Sequence, residues 1–375
     1  MNGETSDRPA WRSGHRAAGW AGDSFQRLNE RLLAITVGVT GASCLAILGL
    51  LVRHERVPRG DDLIYDRMAV HPFAVHTFPF GYRIGLPLLV NVLPVGRTAG
   101  FLLLAWLAAG GAAAFAYLLM RQLRINRGVA VMLALLMCVS PPFLVVVIRQ
   151  GRNTDIATVC FMMAATYFVV RRAYWPLVIT LLIGTLFREA VLFVVPLAYA
   201  QWAARPVDWS AAARTLAVGA SAIGAYLALR FGVTTVGEAQ VPGYGGGLIG
   251  ERLTIIRDGF KTPLQEVRRM FTVYGPLWLV TPIALRGMPF ARRGLVLVAL
   301  CILAMTFALD WGRMLLLGAP VFYPAAGYAL DEKPRWRLPV FVLLGALALV
   351  YAAYMQVSGV RTGIIDNGPP PYPVR

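Results

Sequence analysis

The sequence predicts an all-helical polytopic membrane protein of about 11 transmembrane helices with an N-terminus in the cytoplasm. Three observations lead there. Of the 375 residues 57% are hydrophobic and only 15% charged. Apolar runs of about 20 residues, the length one helix needs to cross a bilayer, recur from Leu32 onward. The short loops between them carry arginine, and the side on which those arginines fall sets the orientation.

Taken in order, Met1 to Arg31 is polar and holds Arg8, Arg12, Arg16, Arg27 and Arg31. The apolar run behind it has no clear small-residue cleavage site, so residues 1–31 read as a cytoplasmic tail before a retained anchor helix. Residues 32–357 read as one transmembrane domain, with spans near 32–52, 98–120, 128–148, 155–171, 215–231, 274–286, 293–309, 314–330 and 338–357. Residues 358–375, with the Pro-rich run Gly368 to Pro373, read as an extracytoplasmic disordered tail.

Trp175 to Ala204 is the ambiguous stretch. As one helix it would be roughly 45 Å long and would carry Arg188-Glu189 near the bilayer centre. As a hairpin turning at Arg188-Glu189, it puts the short loops with Arg205/Arg214, Arg286/Arg292/Arg293 and Lys333/Arg335/Arg337 on one side with Arg121, Arg124, Arg127, Arg171 and Arg172. Because short loops rich in arginine stay in the cytoplasm, the hairpin is preferred.

That parity gathers Asp61, Asp62, Asp66, Asp155, Glu189 and Asp310 at the outer face, beside Arg83, Arg149, Arg152, Arg188 and Arg313. Side chains at helix ends also snorkel to the interface without further purpose, and that reading competes for each residue singly. Two long outer segments cover this face. Residues 53–97 hold the acid pair Asp61-Asp62 and a Pro/aromatic run to Tyr82-Arg83. Residues 232–273 open with a glycine-rich stretch and then show Ile249, Leu253, Ile256, Phe260, Leu264, Val267 and Phe271 at helical spacing, an interfacial amphipathic pattern that Thr262-Pro263 divides into two helices.

The net charge of +17 is spread over loops on both sides rather than gathered on one soluble face, so membrane lipids and phosphates are the expected partners and nucleic acid is not. Cys44, Cys138, Cys160 and Cys301 lie in apolar stretches without metal-ligand spacing, and the four histidines are scattered. An outward vestibule holding a poised carboxylate and several arginines suits transfer of a group from a lipid phosphate to a hydroxyl. The carboxylate takes the hydroxyl proton while guanidinium groups neutralise the leaving phosphate.

Asp61-Asp62-x-x-Tyr65, Tyr82-Arg83-Ile84-x-x-Pro87, Asn153-x-Asp155, Phe187-Arg188-Glu189 and Asp310-x-x-Arg313 together resemble the C-type (GT-C) integral-membrane glycosyltransferases over roughly residues 30 to 330. The resemblance implies a helical bundle with extracytoplasmic loop helices, sitting in a bacterial cytoplasmic (inner) membrane. It also implies a polyprenyl-phosphate sugar donor, as in mannosyltransferases, and hexosyl or pentosyl transfer to a lipid or glycan acceptor. On that match Asp61 is the general base, and Asp62 orients the acceptor or a divalent cation, Mg or Mn. Tyr65, Tyr82, Arg83, Arg152, Asp155, Arg188, Glu189, Asp310 and Arg313 line the substrate site, with Arg83 and Arg313 on the donor phosphate. The chain departs from the family in having Arg188 where a lysine is usual, and in lacking a soluble C-terminal domain to hold a polymeric acceptor. Two other classes stay open: a lipid-linked sugar flippase or transporter, and a non-catalytic membrane assembly partner.

Overall fold

The computed structural model describes residues 19–52, 61–73, 80–149, 151–233, 263–305 and 311–358. Every regular element among these described residues is helical. The first half comprises α1 (Gly19–Leu51), α2 (Asp61–Val70), a 3-10 turn (Phe80–Tyr82), α3 (Gly85–Val92), α4 (Arg97–Gln122), α5 (Arg127–Cys138) and α6 (Pro141–Leu144) with a π turn (Val145–Arg149). There follow α7 (Asp155–Arg171), α8 (Tyr174–Phe187), a 3-10 turn (Glu189–Phe193), α9 (Val194–Trp202) and α10 (Trp209–Gly232). The last part holds α11 (Pro263–Tyr274), α12 (Leu277–Gly287), α13 (Pro289–Met305), α14 (Trp311–Leu316), α15 (Ala319–Glu332) and α16 (Arg337–Ser358).

Small residues set how closely the first helices approach. A Cβ on Gly38 of α1 would sit 2.7 Å from the carbonyl oxygen of Gly110 on α4, so the two backbones touch there. Without a hydrophobic drive between helices in lipid, such close approach is what holds a pair together. The pairing is antiparallel: Glu30, early in α1, meets Arg121 at the end of α4. At this end the Glu30 carboxylate also accepts from Arg127 Nη2 at 2.8 Å and from the Tyr117 hydroxyl.

The ambiguous stretch folds back on itself. The rings of Tyr174 and Trp202 lie 5.5 Å apart, and Trp202 Nε1 donates to the Val169 carbonyl at 3.0 Å. The start of α8 and the end of α9 are therefore neighbours, and the chain reverses at Arg188, whose backbone is extended (φ −165°, ψ 137°). A charged pair inside an apolar run needs partners, and the break delivers both side chains to one end of the bundle.

The remaining contacts give the direction of each leg. Arg230, late in α10, reaches Tyr82 at the Asp155 end. Phe290, early in α13, accepts from Gln201 at 3.2 Å on the opposite side, and Arg313 of α14 returns to Asp155. Asp331, late in α15, accepts from the Asn126 amide at 3.1 Å at the Glu30 end. Among the described residues, α1, α4, α5–α6, α7, α8, α9, α10, α12, α13, α14–α15 and α16 alternate in direction between the two ends.

Among the described residues, five stretches are long and apolar enough to cross a membrane: Leu28–Leu51, Arg97–Gln122, Arg127–Ile148, Trp209–Gly232 and Pro334–Ala353. Tyr174–Phe187, Glu189–Trp202 and Leu277–Gly287 are apolar but shorter. Exposed Ile35, Val39, Ile47 and Leu50 on α1, and Leu338, Val342 and Leu349 on α16, give these helices outer faces that suit lipid rather than water. The protein is thus an all-helical membrane protein. By contrast, α15 is buried along nearly its whole length and forms the centre of the second half.

Two boundaries differ from the sequence expectation. Helix α1 starts at Gly19, well ahead of the apolar run at Leu32, and no proline interrupts the intervening polar segment. The segment 53–97 builds two helices, α2 and α3, in its described part. A helix begins at Pro263, where the Thr262-Pro263 pair predicts a start. The upstream part of the amphipathic stripe, Ile249 to Phe260, lies outside the described residues, as does the C-terminal tail beyond Ser358.

Candidate functional site

Asp155 opens α7, and Asn153 Oδ1 accepts from its amide at 3.1 Å, the local turn that starts the helix. The Asp155 side chain is 0% exposed. An isolated buried carboxylate is costly, so partners must be present. Arg188 Nη1 donates to Oδ1 and Arg313 Nε donates to Oδ2. The reversal after α8 delivers Arg188, and the start of α14 delivers Arg313. Both guanidinium groups are buried, at 5% exposure.

Glu189, the next residue along the hairpin tip, holds a third arginine. Arg83 Nε donates to Glu189 Oε2 at 3.1 Å and Nη2 donates to Oε1 at 2.6 Å, a two-pronged fork. Arg83 comes from the junction between the 3-10 turn and α3, and its guanidinium lies 5.7 Å from the Phe80 ring centroid. Burial works against the Arg83 cation, but the Glu189 carboxylate outweighs it, so the guanidinium is held above its ordinary pKa and stays charged.

Helix α2 is tied into this set from the other side. The Tyr65 and Thr154 hydroxyls lie 3.4 Å apart, and the Tyr65 ring meets Phe80 edge-on at 5.5 Å. Arg152 Nε donates to Asp66 Oδ1 at 3.1 Å, its Nη2 donates to Thr98 Oγ1 at 3.0 Å, and it lies over the Phe101 ring at 5.8 Å. Arg230 donates to the Tyr82 hydroxyl and covers that ring at 5.2 Å.

Of the residues singled out in the sequence, Tyr65, Tyr82, Arg83, Arg152, Asp155, Arg188, Glu189 and Arg313 therefore meet at one end of the bundle. Asp62, in the first turn of α2, is buried at the same end. Asp61 begins α2, but its side chain lies outside the described residues, as does Asp310. Sequence reading passed over Thr98, Thr154 and Arg230. Threonines at helix starts carry no distinguishing pattern, and Arg230 reads as an ordinary helix-end residue until its ring partner is known.

Among the described residues the linked core joins three guanidinium cations, Arg83, Arg188 and Arg313, to two carboxylates, Asp155 and Glu189. Arg188 Nε and Asn153 Nδ2 are buried donors without a partner among the described residues. Buried guanidinium groups with such donors suit an anion such as a phosphate. Asp66, Asp155 and Glu189 are each committed to arginine, and among the described residues no group of three His, Cys, Asp or Glu is placed to hold a metal. No protein-family model matches the chain, and no curated protein matches its sequence.

Proposed function

We propose that this protein is a C-type glycosyltransferase that moves a sugar from a polyprenyl-phosphate donor to an acceptor hydroxyl at the outer face of a bacterial cytoplasmic membrane. One observation carries the reading: arginines from three distant parts of the chain and the helix that begins with Asp61-Asp62 meet at the same end of an apolar bundle. The resemblance in the five short motifs agrees with it.

Asp61 takes the proton of the acceptor hydroxyl as the acceptor oxygen attacks the anomeric carbon. The bond from that carbon to the phosphate oxygen breaks, and the polyprenyl phosphate leaves with one more negative charge than the donor carried. The arginine set answers that growing charge. Arg83 and Arg313 grip phosphate oxygens through planar forks, and Tyr65 and Tyr82 shape the sugar and acceptor pockets. No step is routed through a metal.

The alternating legs are read as about eleven crossings, with the Glu30 end in the cytoplasm and the Asp155 end outside, because the arginine-rich short loops all belong to the Glu30 end. Helices α8, α9 and α12 are short for a full crossing.

The test is transfer of label from radiolabelled polyprenyl-phosphate mannose, arabinose and glucose to membrane lipid or glycan by the purified chain, with and without chelator. Transfer from one donor is expected. A labelled donor that crosses the bilayer intact without being cleaved would favour a flippase instead.

A further inference from the structure

We propose that Asp155 is a positioning residue that fixes Arg188 and Arg313 as one rigid pair, in place of the substrate contact that its sequence motif suggests. The proposal rests on the glycosyl-transfer reading only for its kinetic consequence. The Asp155 carboxylate is fully buried, one oxygen accepts from Arg188, and the other accepts from Arg313. Its amide is taken by Asn153. No face of the residue is left for an acceptor hydroxyl or a sugar.

The two arginines it holds come from different parts of the chain, one at the hairpin tip and one at the start of α14. Arg188 Nη2 also reaches Met314 Sδ of α14 at 3.8 Å, a weak contact, so Asp155 supplies the charged link between the two elements. The neighbouring Thr154 hydroxyl faces Tyr65 of α2, so the same dipeptide also registers the helix that begins with Asp61. Arg83 is held by Glu189 rather than by Asp155. The site therefore has two carboxylate clamps.

A phosphodiester donor carries one negative charge, and the departing phosphate monoester carries two. Guanidinium groups fixed in advance stabilise that transition state more than the bound donor, whereas loosely held ones must first be ordered. Loss of the Asp155 charge is accordingly expected to lower kcat by about 100-fold while donor KM changes less than about threefold.

The experiment uses the full chain in lipid nanodiscs and compares wild type, Asp155→Asn and Glu189→Gln by phenylglyoxal modification mapped by mass spectrometry, alongside steady-state kinetics. Asp155→Asn should speed modification of Arg188 and Arg313 together by at least about tenfold, with Arg83 unchanged, since freed guanidinium groups gain solvent and lose their charge partner. Glu189→Gln should release Arg83 alone. If all three arginines become reactive in Asp155→Asn, the residue merely supports the whole face, and the proposal is overturned. Raised KM with unaltered kcat would likewise overturn it, as the mark of a substrate contact. Should Asp155→Asn not insert, Asp155→Ser removes the same charge with a smaller side chain, and the same selective release of Arg188 and Arg313 is expected; no release would reject the pairing. A wild type inactive on every donor would sink the transferase reading, and the modification pattern would still decide the clamp.

Discussion

Arg83 and Glu189 stand 106 residues apart in the chain and meet through two parallel hydrogen bonds, the shorter 2.6 Å. Arg83 is buried, while the Glu189 side chain keeps 35% exposure, so the carboxylate is the open side of the pair. On the proposed transfer, the donor phosphate reaches Glu189 first and competes with it for the guanidinium. The resting pair would keep the cation oriented until that phosphate replaces the carboxylate.

Glu189→Gln should express and insert normally, because the hairpin turn depends on the Arg188 backbone rather than on the Glu189 side chain. Transfer should fall by about 10- to 100-fold, since a fork held by two charge-assisted bonds becomes a weakly held single contact. Initial rates with saturating donor measure it. Full activity would mean that Glu189 merely anchors the hairpin at the interface.

Arg313→Lys removes the planar fork but keeps the charge. The lysine can reach Asp155 or a phosphate, not both in the present geometry. Donor dependence should weaken markedly while acceptor dependence stays nearly the same. Equal kinetics for the two proteins would discard the fork.

The course of the chain can be checked without any substrate. In a Cys44→Ser background, single cysteines at exposed Gln122, Arg292 and Arg335 should resist an impermeant maleimide in intact cells, and cysteines at exposed Arg67 and His71 should react. Labelling at Arg292 from outside would remove both the eleven-crossing reading and the outward site.

At the opposite end, Glu30 accepts from Tyr117, Arg121 and Arg127 and joins α1 to α4 and α5. Glu30→Ala should leave a buried tyrosine hydroxyl and two cations without their acceptor, costing about 1.5–3 kcal/mol and lowering Tm in detergent. Catalysis at the far end should survive below that temperature. An unchanged Tm would show that the three donors find other partners.

Much of the fold was legible because it rests on local features. Run length marked the five long apolar helices, and the arginine pattern with Arg188-Glu189 in the middle of an apolar stretch called for the reversal that the Tyr174–Trp202 contact shows. Proline at Pro263 marked a helix start. Pairings across long sequence separation were not legible. Nothing in the order of residues says that Arg83 belongs to Glu189 and Arg313 to Asp155 rather than the reverse. The network around Glu30 was hidden for another reason: a glutamate in a charged leader has the look of a solvated residue until α4 packs against it. Helix α1 extends past its apolar core into that leader, which a hydropathy count alone does not register.

The most direct measurement is the turnover of Asp61→Asn on the polyprenyl-phosphate donor that the wild type uses. Asparagine keeps the shape and hydrogen bonding of aspartate but accepts no proton, and positioned acid–base catalysis is typically worth about 100- to 10,000-fold. The account predicts a variant that inserts and binds donor but loses at least about 100-fold in transfer, with Asp62→Asn less affected. Retention of most wild-type turnover by both variants would contradict it.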